Sequence, residues 1–327
     1  MQDTKYGRYQ FNQSITDAVQ QFTIKSKKDN WHCILAVVED WLVIFVFIFG
    51  TQYVYSEHYS IILTLLMYAL TVLIIGSRQR GLTNLLHLST HRCLATNKML
   101  NFFCGTFLSG YNVFQSFYGY HTAHVKNHHP LLGTSKDIDY IALKESGICG
   151  TNRTSYHVKR HLINLFHPKS SLKFLCSYYR NQFLTQYDYM PETIVRFIYL
   201  SLVLLLIIYT GNIINFILFW MIPFVTSYSW IISFIDLLDH YPMIDSAPRI
   251  DLYLSRNSLC GRIWSFFLAV HNDQYHLVHH LFPRIPYWNY PPAHLILMQD
   301  HNYAKLHANL GWRNILNSIV NVDGIGK

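Results

Sequence analysis

Residues 271–280 read HNDQYHLVHH and place four histidines in ten positions of a chain that is otherwise rich in apolar side chains. Imidazole is the side chain that most often binds metal ions, and it is neutral or cationic near physiological pH. His276, His279 and His280 stand at i, i+3 and i+4, so a helix presents them on one face. His271 lies off that face. The stretch predicts a set of metal ligands, and the alternative is a polar loop that happens to contain histidine.

Two earlier segments repeat this pattern. In RGLTNLLHLSTHR, His87 and His91 are four residues apart. In YHTAHVKNHH, His124 and His128 have the same spacing, and His129 follows directly. One isolated pair of this kind is weak evidence, because a polar pair at a helix end or a proton relay has the same spacing. Three clusters that lie next to apolar segments favour one shared metal site.

The number and type of ligands indicate which metal this site binds. Eight histidines are too many for one tetrahedral zinc ion, which takes four ligands or three and a water. HLSTH also lacks the glutamate that follows the first histidine in zinc protease helices. Imidazole suits iron, and eight imidazoles fit two ions with positions left for oxygen. The residues therefore predict a dinuclear iron site.

The composition indicates a membrane protein. Of 327 residues, 51% are hydrophobic and 13% are charged, whereas soluble domains carry about 25% charged residues. A helix needs about 20 apolar residues to cross a bilayer. The stretches that fit this length are 34–54, 59–76, 193–210 and 212–235. The first contains Glu39 and Asp40, which we expect at the interface or packed against other helices.

Residues 99–118 carry no formal charge but include several amides and hydroxyls. A full crossing there would put the first two histidine clusters on opposite sides of the membrane. If the clusters share a site, the segment lies in the interface or re-enters and returns.

The basic residues predict the orientation of these spans. The segment between the second and third spans, residues 77–192, carries thirteen basic and five acidic side chains, and residues 1–30 carry five and three. By the positive-inside rule, both segments and the C-terminal part face the cytosol. The net charge of +8 comes without a basic run interleaved with aromatics, so we expect no nucleic-acid partner.

We therefore predict an all-α, multi-pass integral membrane protein with four transmembrane helices and a cytosolic helical cap that carries the histidine clusters. Residues 1–33 form a cytosolic N-terminal segment, and residues 34–327 form a single membrane domain. The six cysteines are scattered, which indicates free thiols in a reducing compartment rather than a disulfide framework. They are Cys33, Cys93, Cys104, Cys149, Cys176 and Cys260.

In these residues the chain resembles the integral-membrane fatty acid desaturases and hydroxylases, a family that includes acyl desaturases and carotenoid ketolases and hydroxylases. HLSTH matches the first histidine box of the family, HVKNHH the second and HLVHH the third. The resemblance covers roughly residues 40–300. It implies two iron ions, dioxygen as co-substrate, and eight box histidines as ligands and catalytic residues: His87, His91, His124, His128, His129, His276, His279 and His280.

The resemblance also implies a contribution from SWIISFIDLLDHYP at the end of the last span. Asp236 and His240 are four apart, like the Asn/His pair that completes the second iron site in acyl-CoA desaturases. Because aspartate replaces asparagine, Asp236 binds iron directly, through water or not at all. His121, one turn before the second box, is a competing ligand or a neighbour of the ligands. The family pattern gives His271 no role.

Asp137 and Asp139 follow the second box. They either fix the loop by hydrogen bonds or orient ligand imidazoles by accepting their second N–H.

The activity implied is the insertion of a double bond into a fatty acyl chain. The alternative within the family is a hydroxylase or ketolase of a carotenoid or other lipid, and the alternative outside it is a histidine-rich membrane metal-binding protein. The spans are almost free of histidine, which disfavours a metal carrier. No HPGG motif or rubredoxin-like cysteine quartet is present, so we expect electrons from a separate ferredoxin or b-type cytochrome.

Overall fold

The computed structural model describes residues 6–24, 27–145, 147–149, 154–182, 188–259, 261–308 and 312–320. Within these ranges the chain is helical and has no strand, apart from one isolated bridge between Gly7 and Ile250. The predicted all-α fold class is confirmed. The five described cysteines are free thiols, and Cys260 lies outside the described residues.

The N-terminal part contains one short helix and two long ones. The short helix α1 (Gln13–Gln20) begins after Asn12, whose side chain accepts a hydrogen bond from Ser14 N. The long helices are α2 (Trp31–Ser56) and α3 (Ile61–Thr90), and they pack against each other along their length.

Helix α3 is the central element of the molecule. It continues fourteen residues beyond the apolar stretch that ends at position 76, and all its residues from Ile74 to Thr90 are buried. A Cβ atom on Gly76 would lie 2.1 Å from the Ser227 hydroxyl and 2.6 Å from Tyr228 N, so glycine is required for this close approach. The end of α3 is thereby fixed inside the protein, where it carries the first histidine box.

The acidic pair in α2, Glu39 and Asp40, lies close to side chains from other parts of the protein. Asp40 is fully buried, and its carboxylate accepts hydrogen bonds from Arg78 Nη1 at 3.4 Å and from His271 Nε2 at 2.8 Å. Glu39 is more exposed and lies 3.8 Å from Arg78 Nη1. Asp40 thus packs against another helix, and His271, which has no place in the histidine boxes, connects the first long helix to the segment before the third box.

The uncharged segment 99–118 is broken rather than one long helix. Helix α4 (Lys98–Thr106) is followed by a 3₁₀ turn (Gly110–Val113), and Phe114 then adopts a left-handed conformation with φ of 64°. Helix α5 (Phe117–Tyr120) begins where the Glu192 carboxylate accepts hydrogen bonds from Phe117 N at 2.6 Å and Tyr118 N at 2.9 Å. This segment therefore contains no continuous helix long enough to cross a membrane.

The second box lies in a π-helix. This element, π1 (His121–His128), continues directly from α5 into the single turn α6 (His129–Leu131). Three further helices follow, α7 (Ile138–Glu145), α8 (Ser155–Leu165) and α9 (Pro168–Gln182).

The remaining two long helices form a hairpin around Gly211, which has a φ of 70°. The first is α10 (Met190–Tyr209). The second runs without interruption from Ile213 to His240 through α11 (Ile213–Phe216), two π-helical segments and α12 (Ser229–His240). Together with α2 and α3, these two make a set of four helices, each of which is long and apolar enough to cross a membrane. The four helices lie at the positions of the four predicted spans.

The C-terminal third of the chain consists of short helices. They are α13 (Met243–Ser246), α14 (Arg262–Phe267), α15 (His276–Leu281), α16 (Tyr290–Leu297), α17 (His301–His307) and α18 (Trp312–Val320). The main hydrophobic core lies between α3, α15 and α16 and contains Leu85, Leu88, Leu277 and Leu297, all almost completely buried.

Candidate metal centre

The histidines of the three boxes come together in two adjacent groups. The first histidine group is His87, His91, His124, His129 and His279, whose ligand atoms all lie within 4.8 Å of one another. His279 Nε2 is at its centre, 2.8 Å from His87 Nε2 and 3.0 Å from His129 Nε2. His129 Nε2 is also 3.0 Å from His124 Nε2. Each of the three boxes contributes to this group.

The second histidine group is His128, His240, His276 and His280, again with ligand atoms within 4.8 Å. His240 Nε2 and His276 Nε2 are 2.9 Å apart. His240, at the last position of α12, is not part of any box. The structure therefore brings it into contact with the box histidines, as the resemblance implies.

Two histidine doublets connect the groups. His128 belongs to the second group and its chain neighbour His129 to the first, and their rings are 5.8 Å apart with an interplanar angle of 87°. His279 and His280 divide in the same way, with rings 5.7 Å apart at 79°. Adjacent residues on a helix point in directions about 100° apart. The HH doublets of the second and third boxes are thus the local feature that produces two sites rather than one.

The backbone of the second box differs from the regular helix that its spacing suggests. In the π-helix His121–His128, four residues make less than a full turn. His124 therefore belongs to the first group and His128 to the second, although their ligand atoms also lie within 4.8 Å of each other and of a carboxylate oxygen of Asp139. Their rings still stack, with centroids 4.9 Å apart. The i, i+4 spacing alone could not distinguish this arrangement from an α-helix that directs both rings to one ion.

Six of the buried rings are in the protonation state that binds metal. Burial, together with the neighbouring imidazoles, holds the pKa of six box histidines well below the usual range for histidine, so they are neutral at physiological pH. They are His91, His124, His129, His276, His279 and His280. A neutral imidazole has one nitrogen lone pair available for a metal ion.

Unpaired ring atoms support the same conclusion. The Nε2 atoms of His91, His128 and His280 are buried and have no hydrogen-bond partner. A buried polar atom without a partner is costly, and a metal ion removes that cost. Metal–imidazole bonds of about 2.0–2.1 Å put neighbouring ligand atoms of one ion roughly 3 Å apart, which is the separation of the closest Nε2 pairs. The residues present fit two metal ions.

The second ring nitrogen of several ligands is held by neighbouring groups. In the first group, His87 Nδ1 is 3.1 Å from Asn84 Oδ1, and His279 Nδ1 is 3.1 Å from the Tyr290 hydroxyl. Both partners are neutral. Such contacts fix the ring orientation and the nitrogen that faces the metal.

In the second group the partners include carboxylates. His128 Nδ1 is 2.8 Å from Asp137 Oδ1 and 3.1 Å from Asp139 Oδ2. Burial alone would lower the pKa of His128, but these two carboxylates raise it to about 9. His276 Nδ1 lies 3.3 Å from Asp239 Oδ2, and the Leu254 carbonyl accepts from His240 Nδ1 at 3.1 Å. Asp137 and Asp139 therefore orient a box imidazole, one of the two roles that their sequence positions suggest.

Asp236 and His121 lie outside both groups. His121 is partly exposed, and its ring stacks on that of Phe117 with centroids 6.4 Å apart. Asp236 retains some exposed surface and is close enough to interact electrostatically with His128 and Arg80. The structure thus gives neither residue a place among the clustered ligand atoms.

Sequence reasoning missed several residues that support the ligands. Asn84 lies one helical turn before His87, so the helical spacing was a usable signal. Asp239 directly precedes His240 in the sequence, so it could have been identified in the same way. Leu254 and Tyr290 have no such signal, because their contacts with the histidines depend on how distant segments pack.

Comparisons with known proteins agree with this geometry. Residues 63–312 match the model of a family described as fatty acid desaturase. Dihydrorhizobitoxine desaturase from Bradyrhizobium elkanii is 29% identical over 323 residues, which cover 95% of this chain and 87% of that protein. Chloroplastic omega-6 fatty acid desaturases from Brassica napus and Arabidopsis thaliana are each 26% identical over 114 residues, which cover 33% of this chain and 26% and 25% of theirs.

Proposed function

Because the chain belongs to the fatty acid desaturase family, we propose that it is an oxygen-dependent di-iron enzyme that introduces a double bond into a fatty acyl chain. Family membership makes it a membrane protein and a desaturase-type oxidoreductase. The observation that carries the iron proposal is the pair of adjacent histidine groups, with five and four ligand atoms.

The nine grouped histidines would hold the two iron ions through ring nitrogens. The chemistry that iron supplies when bound is activation of dioxygen for removal of hydrogen from an unactivated C–H bond. Five and four nitrogen ligands leave positions of six-coordinate ions free. Carboxylates beside the second group would offset part of the positive charge of the ions, because imidazoles bind a metal in their neutral form and supply none. Burial of all nine rings keeps bulk water from the reaction.

We assign the electron supply to a separate ferredoxin or b-type cytochrome. The excess of basic over acidic side chains between residues 92 and 180, which leaves out the buried Arg78 and Arg80, would attract an acidic donor to the side that carries the boxes. The same charges support the cytosolic placement of that side and a re-entrant path for residues 99–118.

The direct test is expression of the chain in a host with simple lipids, with air, iron and a working electron donor. We expect a lipid product lighter by two hydrogens in mass spectra and none in cells that express His279→Ala. A product heavier by one oxygen would instead identify the hydroxylase or ketolase of a lipid. An unchanged lipid profile in iron-loaded, active cells would contradict an acyl substrate.

A second candidate is desaturation of a small polar compound. Arg80 Nη2 donates to Asp273 Oδ2 at 2.6 Å, and this ion pair and Asp236 lie beside the histidine groups, where an acyl chain would prefer apolar walls. The relative that covers 95% of the chain is named for dihydrorhizobitoxine. Supplying that compound and a fatty acyl donor to the same membranes distinguishes the two, because only the true substrate loses two hydrogens.

A further inference from the structure

The N-terminal end of helix α15, which carries the third box, is capped by a residue that is distant in sequence. A helix leaves its first four N–H groups without partners of its own, and α15 has only six residues, with no side-chain hydrogen bond from its preceding residue Tyr275. Leu277 N and Val278 N instead donate to Asn257 Oδ1, at 2.9 and 3.3 Å. Asn257 is 1% exposed and twenty residues away in sequence.

The amide of Asn257 is itself oriented by helix α17. Its Nδ2 donates to the Tyr303 hydroxyl at 2.9 Å and to His307 Nε2 at 2.8 Å. His307 Nδ1 donates to the Tyr303 carbonyl at 2.7 Å, so Nε2 of the neutral ring is the acceptor. Burial lowers the pKa of His307, which favours that neutral form. A flipped amide would lose the bonds on both sides, so the network fixes which atom faces α15.

The same short segment also holds the other helix of the second histidine group. The Leu254 carbonyl accepts from His240 Nδ1, and Arg256 N donates to the Asp239 carbonyl at 3.0 Å. Ser258 N donates to the Gln274 carbonyl at 2.8 Å, just before α15. Residues 254–258 therefore connect the end of α12 with the beginning of α15, the two elements that supply His240 and His276.

We propose that Asn257 is a positioning residue for the second histidine group: by capping α15 while Tyr303 and His307 hold its amide, it sets the position of His276 relative to His240. The inference rests on the proposed function only in taking this group to bind iron. Ligands must be held to within about 0.5 Å for a working site. Helix α17, near the C-terminus, thus supports the metal centre through Asn257 and does not contact it.

The test compares iron binding by the purified full-length wild type, Asn257→Leu and Asn257→Asp. Each protein is stripped with a chelator and titrated with Fe(II) without oxygen. We expect the wild type to bind two ions and Asn257→Leu to bind the weaker one about 10–100-fold less tightly, as for other residues that support ligands. Asn257→Asp keeps an oxygen opposite Leu277 N and Val278 N but loses the Nδ2 donor to Tyr303 and His307, so its affinity should lie between those of the wild type and Asn257→Leu, about 3–10-fold below the wild type.

A merely structural role gives a different result. In that case Asn257→Leu would lower the thermal unfolding temperature of the stripped protein but leave iron affinity and the iron spectrum unchanged, which would overturn the inference. Asn164→Leu, an exposed change on α8, is the matched control and should alter neither quantity.

Two further outcomes are distinguishable. A folded wild type that binds no iron overturns the proposed function and this inference with it, whereas two ions bound with the same affinities by wild type and Asn257→Leu overturn the inference alone. If Asn257→Leu does not fold, Tyr303→Phe removes one hydroxyl and keeps the ring. It should weaken binding about threefold, in line with loss of one hydrogen bond, and unchanged binding would refute the proposal.

Discussion

The two histidine groups differ in the charge of the residues that hold them. In the first group the second ring nitrogens of His87 and His279 face the neutral Asn84 amide and Tyr290 hydroxyl, whereas in the second group His128 Nδ1 faces the Asp137 carboxylate. A carboxylate partner makes an imidazole a stronger donor and favours a more highly charged ion. Two sites a few ångströms apart therefore offer unequal electrostatic environments, and the ligands of each should respond differently to substitution.

The largest effect should follow from His279→Ala. Its Nε2 atom lies between those of His87 and His129, so its loss removes the centre of the first group. We expect product formation to fall by more than about 1,000-fold, equivalent to about 4 kcal/mol of barrier, and the iron content to drop from two to one. Product mass spectrometry and metal analysis measure both. Exposed His301→Ala is the control, and full activity of His279→Ala would contradict the assignment.

His240→Ala tests the second group in the same way. We expect at least about 100-fold less product, since a ligand is lost but the first group remains intact. The remaining ion should be the one held by neutral partners. Spectra that show the same ion missing in His240→Ala and His279→Ala would refute the division into two groups.

Asp137→Asn changes charge with little change in shape. The Asp137 carboxylate contacts His128 Nδ1 and also accepts from Gly133 N at 2.8 Å, so the loop should be measured for stability in parallel. We expect iron affinity at the second group and turnover to fall by about 10–100-fold. Asp139→Asn should have a smaller effect, because Asp139 is 41% exposed and its contact is longer.

Asn84→Ala is the counterpart in the first group. The lost partner of His87 is neutral, so we expect turnover to fall by only about 2–10-fold, in line with one ordinary hydrogen bond. Steady-state kinetics of Asn84→Ala beside Asp137→Asn make the comparison quantitative. Equal losses in the two variants would show that partner charge does not distinguish the groups.

The smallest effect is expected for His121→Ala. The resemblance makes His121 a competing ligand, but its ring stacks on Phe117 outside both groups. Substitution of a partly exposed residue away from the ligands should change turnover by no more than about twofold. A tenfold loss together with loss of iron would place His121 among the ligands after all.

The sequence was sufficient to predict the set of box histidines but not their division. Spacing and the HH doublets identify which residues converge, because helical geometry is local. Which group each ring joins depends on the π-helix at His121–His128, and an i, i+4 spacing does not reveal it. Asn257 was unpredictable for another reason, since its partners lie 20 to 50 residues away and are brought together only by packing.

The four membrane-spanning helices also show what could and could not be predicted from the sequence. Hydropathy located all four long helices, because lipid requires about 20 apolar residues. It did not predict that α3 continues to Thr90, since residues 77–90 are buried by protein and need not be apolar. Hydropathy thus reports what surrounds a helix rather than where the helix ends.

The Asp40–Arg78 contact has a consequence for biosynthesis. Asp40 lies within the first span, and its hydrogen-bond partners come from α3 and from the segment before the third box. An aspartate at the centre of an inserting helix costs about 2.5–3.5 kcal/mol, and Asp40, in the first third of α2, bears part of that cost. During translation α2 is complete before Arg78 has been added to the chain. We therefore expect α2 to insert poorly alone and to enter the bilayer together with α3, as one helical hairpin.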